Sequence, residues 1–519
     1  MVIWYKGYTD MMISEGKNDE NVVYHWSVEQ MISERNTLAP RSSAEAGSTT
    51  DDRLAPGTKL VLGILVVSTF VVVLNETIMN VALATLITDL GISAATAQWL
   101  TTAYLLTMAV VIPVSGFLLQ RFTVRQLFIT AMSLFTIGTL VAALSSGFAM
   151  LLTGRIVQAV GAAVMMPLLM TAVMHSVPAR RRGSVMGTIS IVTAAAPALG
   201  PAVSGAVLSV LDWPFLFWTV LPIAMATLLI GIFLLRNVTQ TRRIRIDVLS
   251  VILSVLAFGG ILFGLVSIGE YANGVAHINP LIPLVIGAAF LLVFIIRQRY
   301  LARHDLALLD LRTFQTPQFS CAIIVTGLVA MTLFGTLTVL PLYLQRVLGI
   351  GPLATGLLLL PGGVLLAVLS PVVGRLYDRG GIGPLIVSGA VLLALSQIIF
   401  VLTIGNYDSS LSAMIMFTVM HIALAFLFTP LMTVALSSLP AGLYSHGSAT
   451  FSTVQQLAGA AGTATLVTLM TVGSTRIAGE SNIAAGVRNA YIGASVIAVI
   501  AVIATMVLVL IIRRHSSCH

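Results

Sequence analysis

Apolar and polar positions alternate along this chain on a scale much longer than a strand. From Leu60 onward, runs of twenty or more mostly apolar residues are separated by short polar connections. About 20 apolar residues in a helix cross a bilayer, so each run predicts a membrane span. The runs lie near 60–87, 98–120, 125–145, 149–175, 183–209 and 213–235, then 248–269 and 280–297, then 319–345, 352–376, 384–404, 411–437, 446–473 and 489–512. The pattern predicts an all-α polytopic membrane protein of 14 spans.

Charge sharpens the picture. Only 9% of the 519 residues are charged, against about 25% in a soluble domain, which excludes a water-soluble surface. The net charge of +8 does not predict a nucleic-acid partner, because the cations gather in loops. All three lysines (Lys6, Lys17, Lys59) precede the first run. With the amino end inside, every loop arginine from Arg121 onward falls on an inside segment except Arg346, Arg476 and Arg488. That asymmetry is the positive-inside rule, and an even span number puts both termini in the cytosol. Cys321 and Cys518 are too far apart in sequence to suggest a disulfide framework, and no metal site is predicted.

Residues 1–58 hold nine of the 19 acids and no sustained apolar period, which predicts a disordered cytosolic tail. The opening "MVIWYKGY" lacks the apolar core of a secretory signal, and Met11, Met12 and Met31 leave the true start open. Beyond the tail an internal repeat is visible. "SGFLLQRFTVRQLF" after the second run pairs with "VGRLYDRGGIGPLI" after the tenth, aligning Gly116 with Gly374 and Arg121 with Arg379. "RGSVMGTIS" likewise pairs with "HGSATFSTV". The expected organisation is therefore a six-helix bundle over 59–236, two inserted spans with their linkers over 237–318, and a second six-helix bundle with a short tail over 319–519. Two related bundles around a midplane site form a transporter architecture.

Within the first run, "VVVLNETIMNVAL" places Asn75, Glu76 and Asn80 where water is scarce. A charge near the bilayer centre costs about 2.5–3.5 kcal/mol on insertion scales, and the other carboxylates beyond the tail fall in loops or at span ends. Thr69, Glu76 and Asn80 share one helical face, expected to line a polar cavity. Burial favours the neutral form of a carboxyl, so Glu76 is the candidate proton carrier; the bland alternative is a neutral glutamic acid that glues two helices together. Arg155, in "LLTGRIVQAVG", is its candidate partner, at a depth differing by roughly 7 Å, with Gln158 one turn on. The alternative for Arg155 is a side chain that snorkels to the outer interface. Gln455, Gln456 and His421 are candidate cavity groups, each with a plain packing alternative. Ala196, Gly200 and Ser204 have small-xxx-small spacing for close helix contact, and Pro201 is a candidate kink. No lysine follows Lys59, which excludes a Walker P-loop in the membrane region, and HExxH, CxxC and GxSxG are absent.

Together these motifs resemble the major facilitator superfamily, and within it the fourteen-span drug:proton antiporters of the lincomycin-resistance type. "LNETIMNVAL" is similar to the span-one signature, with Asn75 where aspartate is usual and Ala84 where proline is usual. "GFLLQRFTVRQ" (Gly116, Arg121, Arg125) resembles the loop-two motif, with Gln120 where aspartate is common; the second copy keeps Gly374, Asp378 and Arg379. "GRIVQAVGAA" resembles the span-four motif, and "ALGPAVSG" (Gly200, Pro201, Gly205) the span-five antiporter motif, with Ser204 at a usual glycine. The resemblance spans residues 60 to about 512. It implies a major facilitator fold, proton-coupled export of small amphipathic compounds without a cofactor, and a bacterial plasma membrane setting among lipids, with the monomer as working unit. Export of a metabolite such as an amino acid or polyamine is the rival transport reading. A membrane-embedded enzyme or sensor is the rival class, but one carboxylate with scattered amides is a poor catalytic set.

Overall fold

A computed structural model describes residues 56–92, 94–235, 237, 247–272, 278–304, 306–404, 409–473, 476–477, 480–481 and 483–516. The amino-terminal tail and most of the arginine-rich loop after the sixth run lie outside these. The described helices are α1 (Pro56–Asp89), α2 (Ala94–Arg121), α3 (Val124–Ala143), α4 (Phe148–Ser176), α5 (Arg182–Leu208), α6 (Pro214–Leu234), α7 (Val248–Ala272), α8 (Leu281–Ala302), α9 (Pro317–Arg346), α10 (Pro352–Gly380), α11 (Ile382–Thr403), α12 (Ser410–Ser437), α13 (Tyr444–Gly473) and α14 (Ile483–Ser516). Helices pair their backbone donors internally everywhere past the first turn, which a lipid environment demands. A two-residue antiparallel pairing, Arg476–Ile477 with Glu480–Ser481, is a small departure from the all-helical expectation, in the connection before α14.

Local chemistry sets the helix starts. Thr123 caps α3 in a reciprocal box with Gln126, and Pro214, Pro317 and Pro352 open α6, α9 and α10, where a missing N–H costs nothing. Gly381 joins α10 to α11 in one residue at φ +88°, a conformation that side chains resist. Among the described residues, twelve helices are long and apolar enough to cross a membrane. The other two, α5 and α13, are 27 and 30 residues long; α13 is rich in Ser, Thr, Gly and Gln because it packs against protein along much of its length, and its first ten residues are all buried.

Pairwise packing repeats at an offset of eight helices. In the first half α1 packs on α4, α5 and α6, α2 on α4, and α3 on α4 and α6; in the second, α9 packs on α12, α13 and α14, α10 on α12, and α11 on α12 and α14. Between halves α5 meets α10 and α12, while α13 meets α2 and α4. Helices α7 and α8 pair with each other, and α7 leans on both α2 and α13. Glycines permit the tightest approaches. A Cβ on Gly161 would strike the Ala131 carbonyl, one on Gly462 the Met331 backbone, and one on Gly200 the Thr77 hydroxyl.

Candidate coupling and substrate site

Helix α4 turns Arg155 into the protein, where it is fully buried. That disposes of the snorkelling alternative, since a snorkelling arginine keeps its head in water. Its Nη1 donates to Gln158 Oε1 at 3.1 Å, and Gln158 Nε2 donates to Thr139 Oγ1 at 2.8 Å on α3. Gly138 makes this possible: a Cβ there would collide with the Gln158 backbone. The guanidinium stands over the Tyr104 ring of α2, 4.1 Å from its centroid, a cation–π contact that favours the charge in place of water. Nothing in the apolar periodicity singled out Tyr104; its hydroxyl amid "TTAYLL" was the available signal.

Glu76, half-buried on α1, lies within electrostatic range of both Arg155 and Tyr104. Among the described residues Glu76 and Arg155 form no ion pair; the pairs are Asp247–Arg297 and Asp310–Arg312. Among the described residues, Arg155 Nε and Nη2 and the Tyr104 hydroxyl lack a hydrogen-bond partner, as do the buried Asn75 Nδ2 on α1 and the Ser204 hydroxyl on α5. Buried polar groups are nearly always paired, so these atoms carry hydrogen-bonding capacity that the described side chains do not use. Thr69 behaves differently from the expectation for its face: it is buried, and its hydroxyl donates to the Leu65 carbonyl at 2.7 Å. The side chains of Asn80 and Pro201 lie outside the described residues.

On the opposite half, Gln455 and Gln456 of α13 are half-buried. His421 of α12 is buried, with Nδ1 donating to the Phe417 carbonyl at 2.9 Å and its ring 4.1 Å from the Phe417 ring. A helix-satisfied imidazole is the packing alternative for this residue.

The loop-motif residues fall into place at the arginine-rich helix ends. Asp378, near the end of α10, accepts from the backbone N–H groups of Gly183 and Ser184 at 3.0 and 2.9 Å. Those are first-turn donors of α5, where a carboxylate meets both free N–H groups and the positive end of the helix dipole. A Cβ on Gly374 would strike the Gly183 carbonyl, so the two backbones touch. In the first copy, Gly116 packs on His446 and Ala449 of α13. Nearby, Thr171 and Ser448 share a 2.8 Å hydrogen bond, and Arg182 donates to the Tyr444 hydroxyl at 3.3 Å. Arg121 stacks beside Phe122, 5.9 Å from its centroid. Arg125 ties α3 to the end of α6, with Nη2 donating to the Ile232 carbonyl at 2.7 Å. Arg379 is exposed and Gly205 half-buried.

Comparison with known proteins agrees with this architecture. The model of the Major Facilitator Superfamily matches residues 65–463. The chain is 40% identical over 445 residues to an MFS-type transporter of Bacillus subtilis, YcnB, covering 85% of this chain and 93% of that one. It is 38% identical over 447 residues to the lincomycin resistance protein LmrB of Listeria monocytogenes, covering 84% and 94%. Among solved structures, the human organic anion transporter MFSD10 superposes with a TM-score of 0.63 at 13% identity, over 87% of this chain and all of that one.

Proposed function

We propose, from the premise that the chain belongs to the major facilitator superfamily and is a membrane transporter and not an enzyme, that it is a proton-coupled exporter of small amphipathic compounds. The observation that carries the reading is Glu76, among the described residues the one carboxylate more than a turn inside a membrane-length apolar helix, within electrostatic range of a buried arginine with unpartnered donors. A carboxyl alternating between proton-bound and substrate-facing states is the minimum that exchange requires, and Arg155 is a cation within its electrostatic range. Relatives named for lincomycin resistance support a drug over a metabolite. A polyamine would call for several acids at depth, and the motifs supply one.

The cycle we infer is alternating access. Fourteen spans, with α5 and α13 counted among them, form two six-helix halves that rock about a cavity facing Asn75, Gln158, Gln455 and Gln456. Helices α7 and α8 ride at the side. Both termini and the arginine-rich loops lie in the cytosol of a bacterial plasma membrane, and a single chain suffices. In that orientation the contacts at Gly183–Gly374, Asp378 and Thr171–Ser448 hold the cytosolic side shut.

One carboxylate implies one proton entering per molecule leaving. Export of a monovalent cation then moves no net charge and runs on the pH gradient alone. Export of a neutral compound also draws on voltage, about 2.3 kcal/mol per 100 mV. The test is efflux from vesicles with pH and voltage gradients imposed separately, in wild type and Glu76→Gln. The variant is expected to lose uphill export yet retain binding of neutral compounds, since the amide mimics the protonated acid. Sustained uphill export by Glu76→Gln rejects Glu76 as the coupling group.

A further inference from the structure

A second site, sharing no residue with the Glu76–Arg155 group, lies where α8 ends and its linker leads to α9. Here a cavity of about 690 Å³ is walled by Ile295, Arg299, Arg303, Leu311, Arg312 and Phe314. Its cations are unequal. Arg312 is neutralised by Asp310, with Nη2 to Oδ2 at 2.6 Å, and neighbouring Arg297 by Asp247 at 2.7 Å. Arg299 and Arg303 have no acidic partner among the described residues. They stand four residues apart on one helical face, where like charges repel. A shared anion between them turns that repulsion into attraction.

The cavity is also preformed. Gln298 Oε1 accepts from the backbone N–H groups of Leu308 and Leu309 at 2.7 and 3.2 Å, while its Nε2 donates to Ser250 of α7 at 2.7 Å. The linker is thus pinned to the α7–α8 pair, and Asp310 caps the short turn Leu311–Gln315 that forms the far wall. The near wall is apolar and continuous with the exposed hydrophobic face of α8 at Leu292, Val293 and Ile296. A basic pocket at the cytoplasmic end of a peripheral helix, opening onto a lipid-facing apolar strip, has the polarity of a phospholipid.

We propose that this cavity binds an anionic glycerophospholipid, with Arg299 and Arg303 gripping the phosphate and an acyl chain lying along α8 past Ile295. Guanidinium groups suit the task because they meet phosphate oxygens with paired N–H donors. The test is lipid retention by the full chain in native mass spectrometry, with phosphatidylglycerol and phosphatidylcholine of matched chains as probes. Wild type is expected to prefer phosphatidylglycerol about tenfold, and R299Q/R303Q to fall to parity. Ile295→Trp fills the cavity without touching the charge and is expected to lose the lipid too, a check that survives if the double variant folds poorly. R513Q/R514Q, which removes exposed arginines at the end of α14, is expected to keep the preference. Parity in wild type, or equal loss in R513Q/R514Q, overturns the site. Competition by glycerol 3-phosphate as effective as that by the whole lipid overturns the lipid assignment in favour of a free-anion site.

Discussion

The two junctions between the halves occupy equivalent places in the repeat, yet they are held by different chemistry. Where α10 meets α5, a carboxylate seats on two backbone donors and glycine lies against glycine. Where α2 meets α13, Gln120 stands in the position of Asp378, and Gly116 packs against His446 and Ala449; the neighbouring α4 adds only a neutral hydrogen bond to α13, Thr171–Ser448. Hydrogen bonds to charged groups contribute about 1.5–3 kcal/mol, neutral ones about 1. In the proposed cycle the α5–α10 junction is therefore the stronger latch, and the α2–α13 junction the one expected to yield first.

Substitution at the two motif glycines gives the largest contrast. Gly374→Ala drives a methyl into the Gly183 carbonyl, a backbone atom that cannot turn aside, and overpacking of this kind costs about 1–3 kcal/mol. Gly116→Ala brings its methyl 3.1 Å from the Ala449 Cβ and 3.3 Å from His446 Nδ1, neighbours that relax by tenths of an ångström. Transport by Gly374→Ala is expected to fall more than tenfold and by Gly116→Ala less than threefold, at equal expression. Equal losses would mean that the junctions are equally tight.

Asp378→Asn keeps one acceptor and removes the charge. In the proposed cycle, a loss of about 1.4 kcal/mol from the latch corresponds to a tenfold shift toward the state open at this end. Distances between spin labels at the arginine-rich ends of α5 and α10 measure that shift, and substrate binding is expected to change little. A parallel collapse of binding would point to misfolding.

Gln120→Asp runs the comparison in reverse by giving the weak junction the acid it lacks. A carboxylate at a helix start contributes about 0.3–1 kcal/mol when exposed, so turnover is expected to slow by two- to fivefold as the second latch tightens. Faster turnover would reject the assignment of α2–α13 as the yielding side.

The smallest effect is expected outside both junctions. Hydrogen bonds from Arg297, with help from Ser250, hold the Asp247 carboxyl below its ordinary value. A group depressed on folding contributes stability above its unfolded pKa, about 3.9, and loses it as pH falls through the lower folded value. Hydrogen exchange at the start of α7 should therefore rise only below about pH 4, with Asp247→Asn already elevated at pH 7. Exchange that follows pH equally in that variant would break the assignment.

Much of this contrast was legible in residue order. Gly116 with Gly374 and Arg121 with Arg379 declared themselves by repetition at a fixed offset, while Gln120 and Asp378 were marked by the resemblance to the loop motif. The helix at Arg182 and the helix at Tyr444 were likewise matched by their motifs. The partners were not legible, because they are backbone atoms. The Gly183 and Ser184 N–H groups look the same in any sequence, and only the approach of α10 makes them the acid's donors. Tyr104 was hidden for a related reason: an aromatic in an apolar run is ordinary, and its role appears only when α4 sets a guanidinium over its ring.

What the sequence determined is what local physics enforces one residue at a time: helices wherever lipid forbids unpaired backbone, arginines gathered in the connections between apolar runs, and a carboxylate, Glu76, inside one of those runs. What the tertiary structure decided depends on two distant segments meeting. Among the described residues it set which donors of Arg155 lack a partner, which junction carries a charge and which arginines near the end of α8 meet no acid. Such pairings are set by packing distances between helices, and no stretch of sequence encodes a distance to a residue hundreds of positions away.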